Sequence, residues 1–175
     1  GDNDLYKLNF YRAFSKLNCE TSHIDFFSRT EELEEKILSQ DIVYVGGGNT
    51  KSMLAVWRDW NLNLILKKAH DKGVSAGAIC WFEKGITDSY ANRLEILDCL
   101  GFVKGIACPH FDEEEEREPY VTDLINRNLI NSCICIEGYS ALHINKDRFK
   151  TINFGDNKKC FKIFKENNKI LRKFF

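Results

Sequence analysis

The chain has 175 residues, with 25 Lys plus Arg against 26 Asp plus Glu and a formal charge of −1. That balance argues against a dedicated nucleic-acid binder, which carries a strong basic excess. No apolar run approaches the roughly 18 residues of a membrane-spanning helix. Hydrophobic residues make up 43%, enough for a sizeable core and against intrinsic disorder.

The opening Gly1-Asp2-Asn3-Asp4 does not read as a signal peptide. Seven Cys, an odd number without a C-x-x-C pair, fit neither a zinc framework nor a disulfide scaffold. They read as reduced, mostly buried thiols, so a cytoplasmic location is expected, with no metal or other cofactor.

In chain order, apolar residues at Leu5, Leu8, Tyr11, Phe14 and Leu17 follow a helical period. His23–Phe27 reads as a short strand. Thr30 ahead of Glu31, Glu32 and Glu34 looks like a helix start, since acids favour the positive end of the helix dipole; that helix is expected to reach Leu38. Asp41-Ile42-Val43-Tyr44-Val45 is a run of β-formers, the pattern of a strand buried on both faces. Gly46-Gly47-Gly48 stops it, and Asn49 or Thr50 can cap the next helix, carrying Met53, Leu54, Val56 and Trp57. A further helix covers Leu62–Ala69 and ends near Gly73.

A second glycine turn, Gly73–Gly77, precedes the apolar stretch Ala78–Phe82. Leu94–Leu100 reads as helical or turn-like, Gly105–Cys108 as a short strand, Glu113–Asn126 as a helix and Ser132–Ile136 as a strand. Ala141–Ile144, Phe149–Phe154 and Cys160–Phe164 read as late strands, and the basic, aromatic tail Lys158–Phe175 as a packed hairpin and helix. Alternating strands and helices indicate a single α/β domain.

Gly73-Val74-Ser75-Ala76-Gly77 fits G-x-S-x-G, in which a tight strand-to-helix turn lifts the serine hydroxyl out of a sheet and points the next backbone N–H at a forming oxyanion. It also fits a glycine helix stop followed by a helix start. Gly46–Gly48 can turn backbone N–H groups into a cleft, although the turn fits neither the dinucleotide motif nor a P-loop. His110, after Pro109 at a strand end, can supply a base; a lone loop histidine is the plainer reading. Glu137 at another strand end can orient an imidazole, or be an ordinary turn residue. Arg117, alone in an acidic run, can clamp a carboxylate, while the run itself reads as a solvated helix face. His23, His70 and His143 read as structural.

Together, Asp41-Ile-Val-Tyr-Val-Gly-Gly-Gly-Asn-Thr50, Ser75-Ala-Gly-Ala-Ile-Cys-Trp-Phe82, Thr87-Asp88-Ser89, Leu100-Gly101-Phe102 and Cys108-Pro-His-Phe111 resemble the dipeptidase E family of serine peptidases, with cyanophycinase a distant relative. The similarity runs from about Asp4 to Ile144. It implies a flavodoxin-like three-layer α/β sandwich with a mostly parallel sheet, related to class I glutamine amidotransferases. It also implies cleavage of an N-terminal aspartyl residue from dipeptides and short peptides. The implied triad is Ser75, His110 and Glu137. The implied oxyanion hole uses amides of Gly47 or Gly48 and of Ala76. Arg117 falls on the position that binds the substrate's Asp side chain, with Asn49 and Asp88 as further substrate-binding candidates.

Family members open with a strand, a helix and a second strand before the part matching Asp2, and carry an apolar strand before the serine turn. Here Lys72-Gly73-Val74 runs straight into Ser75, so these elements are expected to be missing. A missing strand could encourage pairing of two copies into a homodimer. The leading expectation is a serine hydrolase acting on small peptides. The rival readings are an inactive relative that acts as a binding or interaction protein, and a cysteine enzyme using Cys80.

Overall fold

The structure, a computed structural model, describes residues 4–71 and 79–175. It has two compact units, residues 1–77 and residues 78–175.

The first unit is helical: α1 (Asp4–Phe14), α2 (Leu33–Leu38), α3 (Thr50–Asp59) and α4 (Leu62–Asp71). Asn49 caps α3 as anticipated, its Oδ1 accepting the Ser52 N–H at 3.0 Å. Helix α4 packs against α2 and α3. Its apolar positions Leu62, Leu66 and Ala69 are buried, as are Ile37 of α2 and Leu54 and Trp57 of α3. Helix α2 starts later than expected. Thr30 turns its hydroxyl back onto the Asp25 carbonyl instead of capping, and Glu32 takes a left-handed φ of 54° just before the first turn.

Two strand expectations fail here. Residues 23–27 are irregular, and of residues 41–45 only Tyr44 forms a bridge. Ile42 and Tyr44 are exposed rather than buried on both faces. An apolar run becomes a doubly buried strand only when ladders and layers flank it. Among its described residues this unit has no strand to provide them. Tyr44 instead stacks on Phe10 of α1 and meets Phe14 at a tilt, with ring centroids 5.7 and 5.9 Å away.

The second unit is α/β. A 3₁₀ turn (Ile79–Trp81) leads into β1 (Phe82–Thr87), followed by β2 (Glu95–Asp98), β3 (Val103–Cys108), α5 (Arg117–Asn126), β4 (Ser132–Ile136), β5 (Ser140–Asn145), β6 (Arg148–Asn153), β7 (Cys160–Glu166) and β8 (Lys169–Phe174). Six strands form one mixed sheet in the order β2-β1-β3-β4-β7-β8; β5 and β6 form a separate hairpin. The centre of the sheet is parallel, β1 to β3 to β4, and its margins are antiparallel. This is compatible with a flavodoxin-like arrangement. Two details differ from expectation. Glu95–Asp98 is a strand because it pairs with β1, from Glu95 opposite Thr87 to Asp98 opposite Lys84. The tail is a hairpin without a helix, turning through Asn167 and Asn168 at φ values of 50° and 61°, where asparagine tolerates the left-handed conformation.

The period-2 alternation of the strands divides the core into two layers. On one face Ile86, Cys108, Cys133, Cys135, Phe161 and Ile163 meet Val121, Leu124 and Ile125 of α5. On the other, Phe82, Ala107 and Ile134 receive Leu142, Ile144 and Phe149 of the β5–β6 hairpin. Gly85 belongs to the close-packed part of β1: an added Cβ would lie 2.8 Å from Ile79 Cδ1.

Candidate active site

Because β1, β3 and β4 run parallel, their carboxyl ends share one edge of the sheet, where open α/β sheets bind ligands. The residues leaving those ends are Asp88 after β1, Pro109-His110 after β3 and Glu137 after β4. Topology therefore gathers three of the anticipated residues.

The chain turns sharply at His110, which has a φ of 51°. The Glu113 N–H then donates to the His110 carbonyl at 3.1 Å and closes the turn. Two bonds stitch this turn to the end of β4: the Phe111 N–H donates to the Ile136 carbonyl (3.1 Å) and the Gly138 N–H to Asp112 Oδ1 (2.7 Å). Asp112 also pairs with Lys158. Burial works against its charge, but Lys158 and the Gly138 amide prevail and hold its carboxyl below the ordinary range.

His110 Nδ1 lies 2.6 Å from Oε2 of Glu113. An ionised carboxylate only accepts, so in the neutral ring Nδ1 carries the proton and Nε2 keeps its lone pair. Among the described residues Nε2 has no hydrogen-bond partner, and the His110 side chain is 59% exposed. Glu137 is placed differently. Its Oε2 accepts the Lys159 N–H at 2.8 Å while its own N–H donates to the Lys159 carbonyl at 3.1 Å, so Glu137 prolongs the β4–β7 ladder.

Arg117, at the start of α5, has a side chain only 2% exposed. Its Nε and Nη2 both approach Oε2 of Glu114, at 2.7 and 2.6 Å. Nη2 also reaches Asp88 Oδ1 (3.4 Å), and Nη1 the Ile86 carbonyl (3.4 Å) and Cys108 Sγ (3.8 Å). A guanidinium has five N–H donors, and these five contacts use them all. Burial opposes the charge, yet Cys108 and Glu114 outweigh it and raise the Arg117 pKa.

A model of "Peptidase family S51" matches residues 1–152. The chain belongs to peptidase family S51. It is also 39% identical, over 177 aligned positions, to the "Uncharacterized peptidase YgaJ" of Bacillus subtilis (strain 168). That alignment covers 97% of this chain and 76% of the relative. Membership of S51 places the chain among serine peptidases, as the ordered motifs implied.

Of the remaining anticipated positions in this S51 chain, Ser75 and Ala76 lie outside the described residues. Gly47 and Gly48 belong to the first unit; Gly47 has open space where a Cβ would stand, and Gly48 has a φ of 134°. Asn49 is engaged as the α3 cap. The Cys80 reading is disfavoured, because burial, with Cys99 adding to it, pushes the thiol up to about 12, far from a reactive thiolate. Among the described residues no group of three or more His, Cys, Asp and Glu could hold a metal ion, and no helix is long and apolar enough to cross a membrane.

Sequence reasoning missed Glu113 as a partner of His110 and Glu114 as a partner of Arg117. Both lie inside the acidic run 113–116, read as a solvated face. The available signal was spacing: each acid stands three residues from its partner.

Proposed function

We propose that the protein hydrolyses the first peptide bond of small peptides that begin with an acidic residue. The observation that carries this reading is the imidazole of His110, held through Nδ1 at the carboxyl edge of a parallel sheet in a chain of peptidase family S51.

In this reading Ser75 is the nucleophile. Its Oγ bonds to the carbonyl carbon as its proton passes to His110 Nε2, and amides of Gly47 or Gly48 and of Ala76 receive the oxyanion. The C–N bond then breaks, with the Nε2 proton leaving on the amine. Water repeats the sequence on the ester and frees Ser75. A carboxylate on Nδ1 holds the tautomer and stabilises the imidazolium without taking its proton. Arg117 receives the acidic side chain of the substrate. Its donors are all engaged by the protein itself, so binding requires Glu114, one-third exposed, to swing away.

The test is hydrolysis of Asp-X dipeptides by the purified chain beside Ser75→Ala. Loss of turnover in the variant with retained circular dichroism supports the reading. Equal activity in both removes Ser75 from the mechanism. Complete inactivity of the wild type, with no labelling of Ser75 by an organofluorophosphate, favours a non-catalytic binding protein.

A further inference from the structure

We propose that the free edge of β8 is a docking site for an extended acidic segment of a partner protein. The segment adds to the sheet as a further antiparallel strand, with acidic, apolar and acidic side chains at alternate positions.

The charge distribution points to this hairpin first. Residues 158–175 hold seven of the 25 Lys and Arg side chains and one of the 26 Asp and Glu. The rest of the chain has 18 basic against 25 acidic, so a chain of net charge −1 concentrates its positive charge on β7 and β8. The family match ends at residue 152, before this hairpin begins.

The backbone is open on the same side. Strand β8 is the last of its sheet, and among the described residues only β7 pairs with it. Antiparallel pairs alternate between hydrogen-bonded and non-bonded. The Phe175 N–H donates to the Cys160 carbonyl at 3.1 Å, which puts Lys173, Leu171 and Lys169 in the phase that bonds to β7. The N–H and C=O groups of Ile170, Arg172 and Phe174 therefore point out of the sheet edge.

The side chains select the partner. Ile170 packs into the core under α5, and Arg172 on the same face pairs with Glu118 of that helix. Lys169, Leu171 and Lys173 are exposed on the opposite face. Across the hairpin Lys173 stands directly opposite Lys162, and Leu171 opposite Phe164. Like charges opposite each other weaken a ladder, and among the described residues neither Lys162 nor Lys173 makes an ion pair. A strand laid on the edge brings carboxylates beside Lys173 and Lys169 and an apolar side chain beside Leu171. A second copy of β8 fits badly. Two-fold pairing centred on Leu171 sets Lys169 against Lys173 of the other copy, and pairing centred on Arg172 sets Arg172 against itself. Edge lysines repel like strands, whereas an acidic strand gains both main-chain bonds and charge pairs.

The experiment follows fluorescence anisotropy of the hexapeptide Val-Glu-Thr-Leu-Val-Glu, capped with fluorescein at its amino end and amidated at the other, with the full chain at low salt. Run antiparallel from Phe174 to Lys169, it places its glutamates beside Lys173 and Lys169 and its leucine beside Leu171. Saturable binding is expected. It should weaken about 10-fold when both glutamates become glutamine, and at least as much in the double variant Lys169→Glu/Lys173→Glu, since each change removes two cross-strand charge pairs. N-methylation of the peptide's two valines and its threonine should abolish binding, because those N–H groups face β8; N-methylation of the other three residues should be tolerated. Bound peptide should slow hydrogen exchange at Ile170, Arg172 and Phe174. Lys173→Glu alone should raise the urea midpoint, since it then faces Lys162 with opposite charge, so weaker binding cannot be put down to a damaged fold.

No saturable binding, or equal binding by the double variant, overturns the proposal. An equal effect from both N-methylated sets means diffuse charge attraction and overturns strand addition. Displacement of the peptide by a single-stranded oligothymidylate at lower concentration than by unlabelled peptide assigns the edge to nucleic acid instead. The peptidase reading stands or falls separately, on labelling of Ser75.

Discussion

Replacing Arg117 by Met tests how the buried cation is held. The substitution keeps an unbranched apolar stem in the space and removes the charge. Breaking a buried ion pair typically costs about 3–5 kcal/mol, because a bare charge is left behind. Here the guanidinium is buried but its partners are not: Glu114 is 33% exposed and Asp88 51%. The orphaned carboxylates can therefore rehydrate. The contacts at 3.4 and 3.8 Å are weak by geometry, and only those to Glu114 are short. One charged hydrogen-bonding group at about 1.5–3 kcal/mol is the appropriate scale. The expected loss is about 2 kcal/mol, or roughly 4–8 °C in Tm for a chain of this size. Urea unfolding followed by circular dichroism measures it, with hydrogen exchange of β3 as the local check. Replacing Glu114 by Met as well should recover little of the loss, since the part-exposed carboxylate rehydrates and is not stranded. Arg117→Met within about 0.5 kcal/mol of wild type, the range of ordinary surface substitutions, would refute the reasoning.

Gly85→Ala should destabilise by about 1–3 kcal/mol through overpacking against Ile79, read as a lower urea midpoint; an unchanged midpoint would mean Ile79 repacks freely. Asp112 carries a depressed carboxyl pKa in the fold, so its contribution to stability is complete above the ordinary value of 3.8 and is lost as pH falls through the lower folded value. Asp112→Asn should flatten the acid limb of the stability curve in that window, and equal slopes in the two proteins would contradict it. Brief alkylation of the native protein should modify Cys19, which is exposed, well before Cys80, Cys108, Cys133, Cys135 and Cys160, which are buried; peptide mass spectrometry reads the order, and early modification of Cys108 would contradict the packing under α5.

Local chemistry made part of this fold legible. The Asn49 cap and the α3 start follow from one side chain bonding one amide. Ser132–Ile136, flanked by turns and rich in β-formers, is β4 to the residue. What escaped depends on partners distant in sequence. Phe82–Thr87 is a central strand, yet Glu83, Lys84 and Gly85 break its apolar pattern, because the charged pair lies on its exposed stretch. Residues 41–45 have the better strand sequence but not the neighbours. At the site, the strand-end placement of His110 and Glu137 was readable in the sequence, whereas that of Asp88 was not, because β1 itself went unread. Which carboxylate faces His110 was not, because that depends on where the turn after Cys108 aims its side chains and on the empty volume at Gly138.

The left-handed backbone at His110 brings imidazole and carboxylate together within four consecutive residues. The bend is anchored to the end of β4 at Ile136 and Gly138, so a one-residue slip between the two parallel strands would set a side chain where the carboxylate now lies and undo the pairing.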